Sequence, residues 1–307
     1  GALERAAEIL FLSKNFDKAA RDFDFLVQLA PDNTEYLKTR ADLAIINQDI
    51  DKAIATYNKL IELLPDDQKI RTNLGEILSQ VREEKYNPVE YLNNMVEKYP
   101  DNIENYKNLA YFYVNNDSID EALNLLLETK NKFPKDADVM FIIGSLYREK
   151  GDTDQALGFL DSALVYTDDR LQILHLKATL LEEVGRYELS DSLYAYLIKE
   201  YPEDPVAMNN YAYSLAVRGE NLEVADKLAN KALELVPDNA SYLDTKGWVL
   251  YQRGKYAEAE KYLVKALEQI STNVEILEHL GDALAKQNKH REAQKYYQKA
   301  LELDPEN

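Results

Sequence analysis

The 307-residue sequence predicts an all-α fold, an α-α superhelix or solenoid of about nine helical hairpins. Three rulers with a period near 34 residues predict it, and a fixed period of this length marks a repeat architecture. Pro31, Pro65, Pro100, Pro134, Pro202, Pro237 and Pro305 fall at steps of 34 or 35 residues or twice that, with Asp168 and Ser271 on the two vacant marks. A second ruler of small residues runs through the first helix of each hairpin: Ala7, Ala41, Gly75, Ala110, Gly144, Ala178, Ala212, Gly247 and Gly281. The third runs through the second helix: Ala19, Ala53, Ala122, Ala156, Ala225, Ala259 and Ala293, with Pro88 and Ser190 in the remaining places.

Each ruler has a physical reason. Proline cannot continue the hydrogen-bond ladder, so phrases such as KALELVP and KALELDP end helices, and the acidic or Asn residues that follow cap the next one. Asp168 and Ser271 are expected to do that capping directly. Small residues at a crossing let two helix backbones approach to the short end of the usual range, roughly 8 to 10 Å between axes. The stretch Ala240 to Asn273 contains a whole unit: Leu243, Gly247, Leu250 and Tyr251 have helical spacing, and after Arg253-Gly254-Lys255 so do Tyr256, Ala259, Leu263 and Ala266. Two helices joined so tightly must be antiparallel.

Taken in order, the repeats fall at about 1–33, 34–67, 68–102, 103–136, 137–170, 171–204, 205–239, 240–273 and 274–307, read as one continuous array. Two depart from the ruler. VREEKYNPVEYLNNM carries one extra residue and puts Pro88 in a small-residue place, predicting an irregular turn and a late helix with Asn87 as cap and Pro88 as first residue. AVRGENLEVAD also inserts one residue, lengthening the turn around Gly219 while keeping Ala225. The array is expected to run on through both. Stacked arrays expose their ends unless capped, and Tyr296, Tyr297, Ala300 and Leu301 of the last helix are expected to lack cover.

The small-residue ladders, the turn phrases EKGDTDQAL, EVGRYELSD, QRGKYAEAE and KQNKHREAQ, and the closing KALELVP and KALELDP resemble the tetratricopeptide repeats across essentially the whole chain. The sole Trp departs from that family's usual pattern: it is not near the start of a first helix but later, at Trp248. The resemblance implies a groove lined by first helices that receives an extended or helical peptide. One version of the family clamps a terminal carboxylate with Lys, Asn and Arg. Here the matching places read Lys38 with Asp42, Lys107 with Tyr111, His175 with Thr179, and Glu278 with Asp282; Lys69 with Asn73, and Asn108 or Asn210 singly, are fragments, so that mode is not supported. NNYAYSLA and LDTKGWVLY further resemble a bacterial subgroup, often envelope lipoproteins that hold enzymes or assembly machinery together. That implies an adaptor in the periplasm or anchored to the outer membrane, whose removed leader would have held the lipid-bearing Cys, with Gly1 a cloning remnant.

Composition narrows the chemistry. With 55 acidic against 36 basic side chains the formal charge is -19, which repels phosphate backbones, so nucleic acid is not an expected partner and basic protein segments are. No apolar run approaches the roughly 20 residues that cross a bilayer. There is no Cys, hence no disulfide, thiol nucleophile or thiolate site. No Gly-rich phosphate loop is present and there are only 3 His, so an enzyme or metal protein is the weakest expectation and no cofactor is expected. Glu275, Glu278, His279 and Asp282 lie within two turns of one helix and form the best metal candidate, but a single helix rarely supplies a full ligand set. A solvated acidic face is the preferred reading of them.

The best candidate site is a groove patch on two neighbouring first helices. Asn209, Asn210, Tyr213 and Ala216 on one, and Asp244, Thr245, Trp248 and Tyr251 on the next, repeat at i, i+1, i+4 and i+7 and form one stripe. Aromatic rings flanked by amides and carboxylates suit peptide recognition; the structural alternative is that Trp248 and Tyr213 pack on each other between helices. The chain is therefore expected to be a non-enzymatic scaffold for a protein or peptide, with self-association through uncapped ends as the alternative.

Overall fold

In the computed structural model, residues 1–81 and 86–305 are described, and these contain eighteen α-helices and no strand. The chain divides into two compact units, Gly1–Leu146 and Tyr147–Asn307. The first holds the hairpins α1 (Ala2–Leu12) and α2 (Phe16–Leu29), α3 (Thr34–Ile46) and α4 (Ile50–Leu63), α5 (Gln68–Ser79) and α6 (Pro88–Lys98), and α7 (Ile103–Asn115) and α8 (Ile119–Lys132). Helix α9 (Ala137–Glu149) carries the division between the units. The second holds α10 (Thr153–Val165) and then α11 (Leu171–Glu183) with α12 (Tyr187–Glu200), α13 (Pro205–Arg218) with α14 (Leu222–Leu235), α15 (Ala240–Gln252) with α16 (Tyr256–Gln269), and α17 (Val274–Lys286) with α18 (His290–Leu303).

Within a unit each hairpin packs on the next, and the small-residue ladder sits where the helices cross. Ala7, Ala41, Ala110, Ala178 and Ala212 are fully buried, as are Ala19, Ala53, Ala122, Ala225 and Ala259. A Cβ on Gly247 would come within 2.6 Å of Leu263 Cγ, and one on Gly281 within 2.5 Å of the Tyr297 ring. The places are small because the neighbouring helix fills the space.

Helix starts follow the proline marks with a fixed offset. Asn33, Asp67, Asn102, Asp136, Asp204 and Asn239, each two residues past a mark, accept bonds from backbone N–H groups of the following helix. The expectation for Asp168 and Ser271 fails for this reason: they occupy the proline marks themselves. The cap two residues on is Asn273 for α17, which accepts from Ile276 N, and Arg170 for α11, which makes no side-chain cap bond.

A further period lies in the backbone. Lys14, Gln48, Asp117, Gly151, Gly185, Gly219, Gly254 and Asn288 all take positive φ, between 58° and 77°, in the turn between the two helices of a hairpin. The next residue's N–H then reaches back to the first helix, as Asn15 N to Leu10 O at 2.8 Å, Lys255 N to Leu250 O at 2.9 Å and Lys289 N to Leu284 O at 3.0 Å. This is the Schellman closure of a helix C-terminus.

The two irregular hairpins are as expected where described. Helix α6 starts at Pro88 with Asn87 as cap and has 11 residues where α2, α4 and α8 have 14; the irregular turn before it falls on 82–85, outside the described residues. In the seventh hairpin α13 runs to Arg218, Gly219 closes it, and Asn221, at φ 44°, opens α14. Packing continues through each hairpin within its own unit.

Ion pairs tie successive hairpins. Asp24 joins Arg40 at 2.7 Å and Lys52 at 2.9 Å; Asp191 joins Arg218 at 2.7 Å; Glu260 joins Lys289 at 2.6 Å. From α7 to α5 and α6 an amide ladder does similar work. Asn105 Nδ2 donates to Met95 O, Asn108 Nδ2 to Thr72 O, and Asn115 Nδ2 to Ser79 O, at 3.2, 3.2 and 3.1 Å. Lys107, whose following Tyr111 departs from the clamp pattern, is 6% exposed and engages Glu104, Asp136 and Asp138.

Candidate functional site

In the second unit the first helices α13, α15 and α17 lie side by side. Their starts are fixed by Asp204, Asn239 and Asn273, and α15 and α17 are drawn against their own second helices at Gly247 and Gly281. Helix register then brings Tyr213 on α13, Trp248 and Tyr251 on α15, and His279 on α17 into one aromatic row. The Trp248 ring stacks on His279 at 4.1 Å and 16°, and on Tyr251 at 4.6 Å and 6°, while Tyr213 tilts against His279 at 6.4 Å. Trp248 and Tyr251 are half-buried, and so is Tyr213.

Carboxylates frame this row. His279 Nδ1 lies 2.9 Å from Asp244 Oδ1, both residues being buried, at 8% and 6% exposure. Burial pushes the Asp244 carboxyl above the usual carboxylate range, an effect that its bond to His279 partly offsets. Glu275 is exposed and accepts the Tyr213 hydroxyl hydrogen bond. Burial raises the Tyr213 phenol, and the Glu275 carboxylate adds to the rise. Asp282 accepts from Tyr297 Oη at 2.6 Å.

The seven residues singled out from sequence are thus placed as follows. Tyr213, Trp248 and Tyr251 present rings to the row, and Asp244 lies beneath it against His279. Thr245 is buried at 3% exposure. Asn209 is buried and donates from Nδ2 to Asn210 Oδ1 at 3.3 Å, while its own Oδ1 is buried without a hydrogen-bond partner among the described residues. Trp248 Nε1 is likewise buried and unpartnered. Tyr213 and Trp248 do not pair directly as the structural alternative supposed; the imidazole of His279 touches both rings.

Sequence reasoning missed His279 as the centre of the row, having set it among the acids of its own helix. The usable signal was repeat register: Asp244 and His279 stand one repeat apart, on adjacent first helices. It also missed Lys246, next along α15, which is 5% exposed and bonds Asp226 at 2.5 Å, a carboxylate shared with Arg253. A recess of about 720 Å³ on α16, lined by Glu260, Lys261, Val264, Lys265 and Gln287 among others, contains none of the predicted site residues. Of the single-helix metal candidate, only Glu275 and His279 come together, and with Asp244 their ligand atoms lie within 4.8 Å of one another.

Short antiparallel helices, small residues at every crossing and one recurrent turn define a helical-repeat protein. Family models described as tetratricopeptide repeat match residues 2–68, 139–172, 175–240, 240–273 and 274–307, and the chain belongs to this family, whose fold generally serves protein–protein interaction. A TPR repeat-containing protein of Pseudomonas aeruginosa is 28% identical over 145 residues, which are 47% of this chain and 25% of that protein. Another, of Methanocaldococcus jannaschii, is 32% identical over 88 residues, 27% of this chain and 28% of that one. The chain thus spans about a quarter of the length of these relatives. Among solved structures, a tetratricopeptide repeat protein of Parabacteroides merdae shares the fold with a TM-score of 0.60 at 20% identity, covering 82% of this chain and 98% of that one. A chain of the APC/C hetero-tetramer Cut9-Hcn1 does so at 0.62 and 15% identity, over 94% of this chain and 56% of that one.

Proposed function

We propose that this chain is a non-enzymatic scaffold and that the row of first helices α13, α15 and α17 binds an extended or helical protein segment bearing Arg or Lys side chains. The observation that carries the reading is the row of half-buried Tyr213, Trp248 and Tyr251 around buried His279, bordered by Glu275 and Asp282. Ring faces attract cations, carboxylates pair with them, and rigid rings supply contact area with few rotors to order. The charge of -19 supports a basic protein partner over nucleic acid. The resemblance of NNYAYSLA and LDTKGWVLY to envelope adaptors supports a place in a bacterial envelope; recovery of the native protein only in the cytosolic fraction would overturn that placement.

Trp248 is the only Trp, so its emission reports on the site directly. Titration with a panel of Arg- and Lys-containing peptides is expected to shift that emission, whereas Glu-substituted versions leave it unchanged. With labelled peptide, the Trp248→Ala and Tyr213→Ala double variant is expected to keep its helicity and lose binding. Retained binding by a helical double variant overturns the reading, as does silence of Trp248 toward the whole basic panel.

A second reading, self-association, is favoured by apolar side chains on α1 and α2: Ile9, Leu12, Phe25 and Leu29 are 65, 80, 50 and 67% exposed. Light scattering over a concentration series tests it, and a monomer throughout excludes it.

A further inference from the structure

We propose that Asp244, Glu275 and His279 form a binding site for a divalent first-row transition ion, Zn²⁺ in the first instance. The site shares His279 and Glu275 with the aromatic row, but its ion is a ligand separate from the protein segment proposed for that row.

The donors come from two helices. Glu275 and His279 are four residues apart on α17 and so share a face, while Asp244 stands beside them on α15. Two of the three residues are nine-tenths buried, which fixes them before any ion arrives. His279 Nδ1 and Asp244 Oδ1 are 2.9 Å apart. Two ligand atoms each about 2.0 to 2.1 Å from one Zn²⁺ and separated by that distance subtend roughly 90° at the metal, within reach of a four- to six-coordinate ion. The ion therefore takes the place of the hydrogen that the imidazole and carboxylate share. All three ligand atoms lie within 4.8 Å of one another, and the third belongs to the exposed Glu275, whose side chain can rotate inward.

The surroundings favour a cation. Two carboxylates and an imidazole bring oxygen and nitrogen donors together, and a bound divalent ion would satisfy donors that are otherwise costly to bury. Outer partners orient the donors: the Tyr213 hydroxyl holds Glu275, and the Trp248 ring lies flat on His279, setting the imidazole plane. One imidazole among oxygens selects Zn²⁺, Co²⁺ or Ni²⁺ over Mg²⁺ and Ca²⁺, which prefer all-oxygen sets. Three protein ligands leave further positions for water, so the site is open rather than purely structural.

The test is a Zn²⁺ titration of the full chain by calorimetry in a background of Mg²⁺, repeated with Co²⁺ while following Trp248 emission. One tight equivalent per chain is expected, with Co²⁺ quenching the Trp that stacks on its ligand. Glu275→Gln, at an exposed position that leaves the fold intact, is expected to weaken Zn²⁺ binding at least about tenfold, and His279→Ala to remove it. Circular dichroism verifies that each variant is folded. Absence of Zn²⁺ binding in the wild-type chain overturns the proposal, and so does undiminished binding in folded Glu275→Gln, which would assign the ion to scattered surface acids.

Discussion

Along α7 of the first unit, against α5 and α6, and across α13, α15 and α17 of the second, polar side chains are buried or half-buried at the seam where a first helix meets its neighbours. They are used differently. Asn105, Asn108 and Asn115 each donate to a backbone carbonyl, and Asn105 Oδ1 accepts from Thr72 Oγ1 at 3.4 Å. In the second seam Asn209 Oδ1 and Trp248 Nε1 are buried without partners among the described residues, and rings that could pack deep in a core stand half-buried instead. A saturated seam stabilises and has nothing left to offer a ligand; an unsaturated one gives up stability and keeps its bonding capacity. Stability and binding should therefore separate by mutation.

The largest stability effect is expected beside the unsaturated seam, at a saturated pair that joins α14 to α15. Asp226→Ala leaves Lys246 buried without its carboxylate and should cost about 3 kcal/mol in denaturant unfolding of the second unit. Binding at the aromatic row should persist wherever the variant is folded. The pair also has a pH signature. Burial tends to raise Asp226, but Lys246 and Arg253 outweigh it and hold the carboxyl below its usual range. The stabilisation is then fully present above the unfolded carboxylate value of about 3.9 and is lost as pH falls through the lower folded value. An acid titration of Asp226→Ala should lack that component; an identical acid limb in variant and wild type would show that the pair contributes nothing.

Next comes the saturated seam itself. Asn105→Ala removes the donor to Met95 O in a fully enclosed position and should destabilise the first unit by about 2 kcal/mol, with Zn²⁺ and peptide binding unchanged. The smallest effect is expected in the unsaturated seam. Asn209→Leu replaces an amide whose oxygen is unpartnered, so unfolding should shift by less than about 1 kcal/mol while peptide affinity falls. A loss at Asn209 as large as that at Asn105 would erase the distinction between the seams.

The hairpins were legible from sequence because helix crossings leave no choice: Gly247 and Gly281 face side chains that a Cβ would strike. Where an element depends on backbone alone, the residues say less. The left-handed turn position is Gly in only four of the eight places described, and Lys14, Gln48, Asp117 and Asn288 hold the same conformation, so no glycine ruler could reveal it. Helix caps were misassigned at Asp168 and Ser271 because a proline mark and a cap are neighbours, not the same place. Of the site, the aromatic and amide residues were visible through their i, i+4 spacing. His279 was not, since its partners Asp244 and Trp248 belong to the preceding repeat and single-helix periodicity does not cross that distance.

The recurrent left-handed turn bears on how such chains diversify. Because each closure is made by backbone groups, the peptide between two successive closures is a cassette whose two ends are chemically alike. Such a cassette, the second helix of one hairpin with the first helix of the next, could be excised at these joints and replaced by another without redesigning the splice, so new specificity could be acquired by exchanging whole cassettes as well as by altering side chains one at a time.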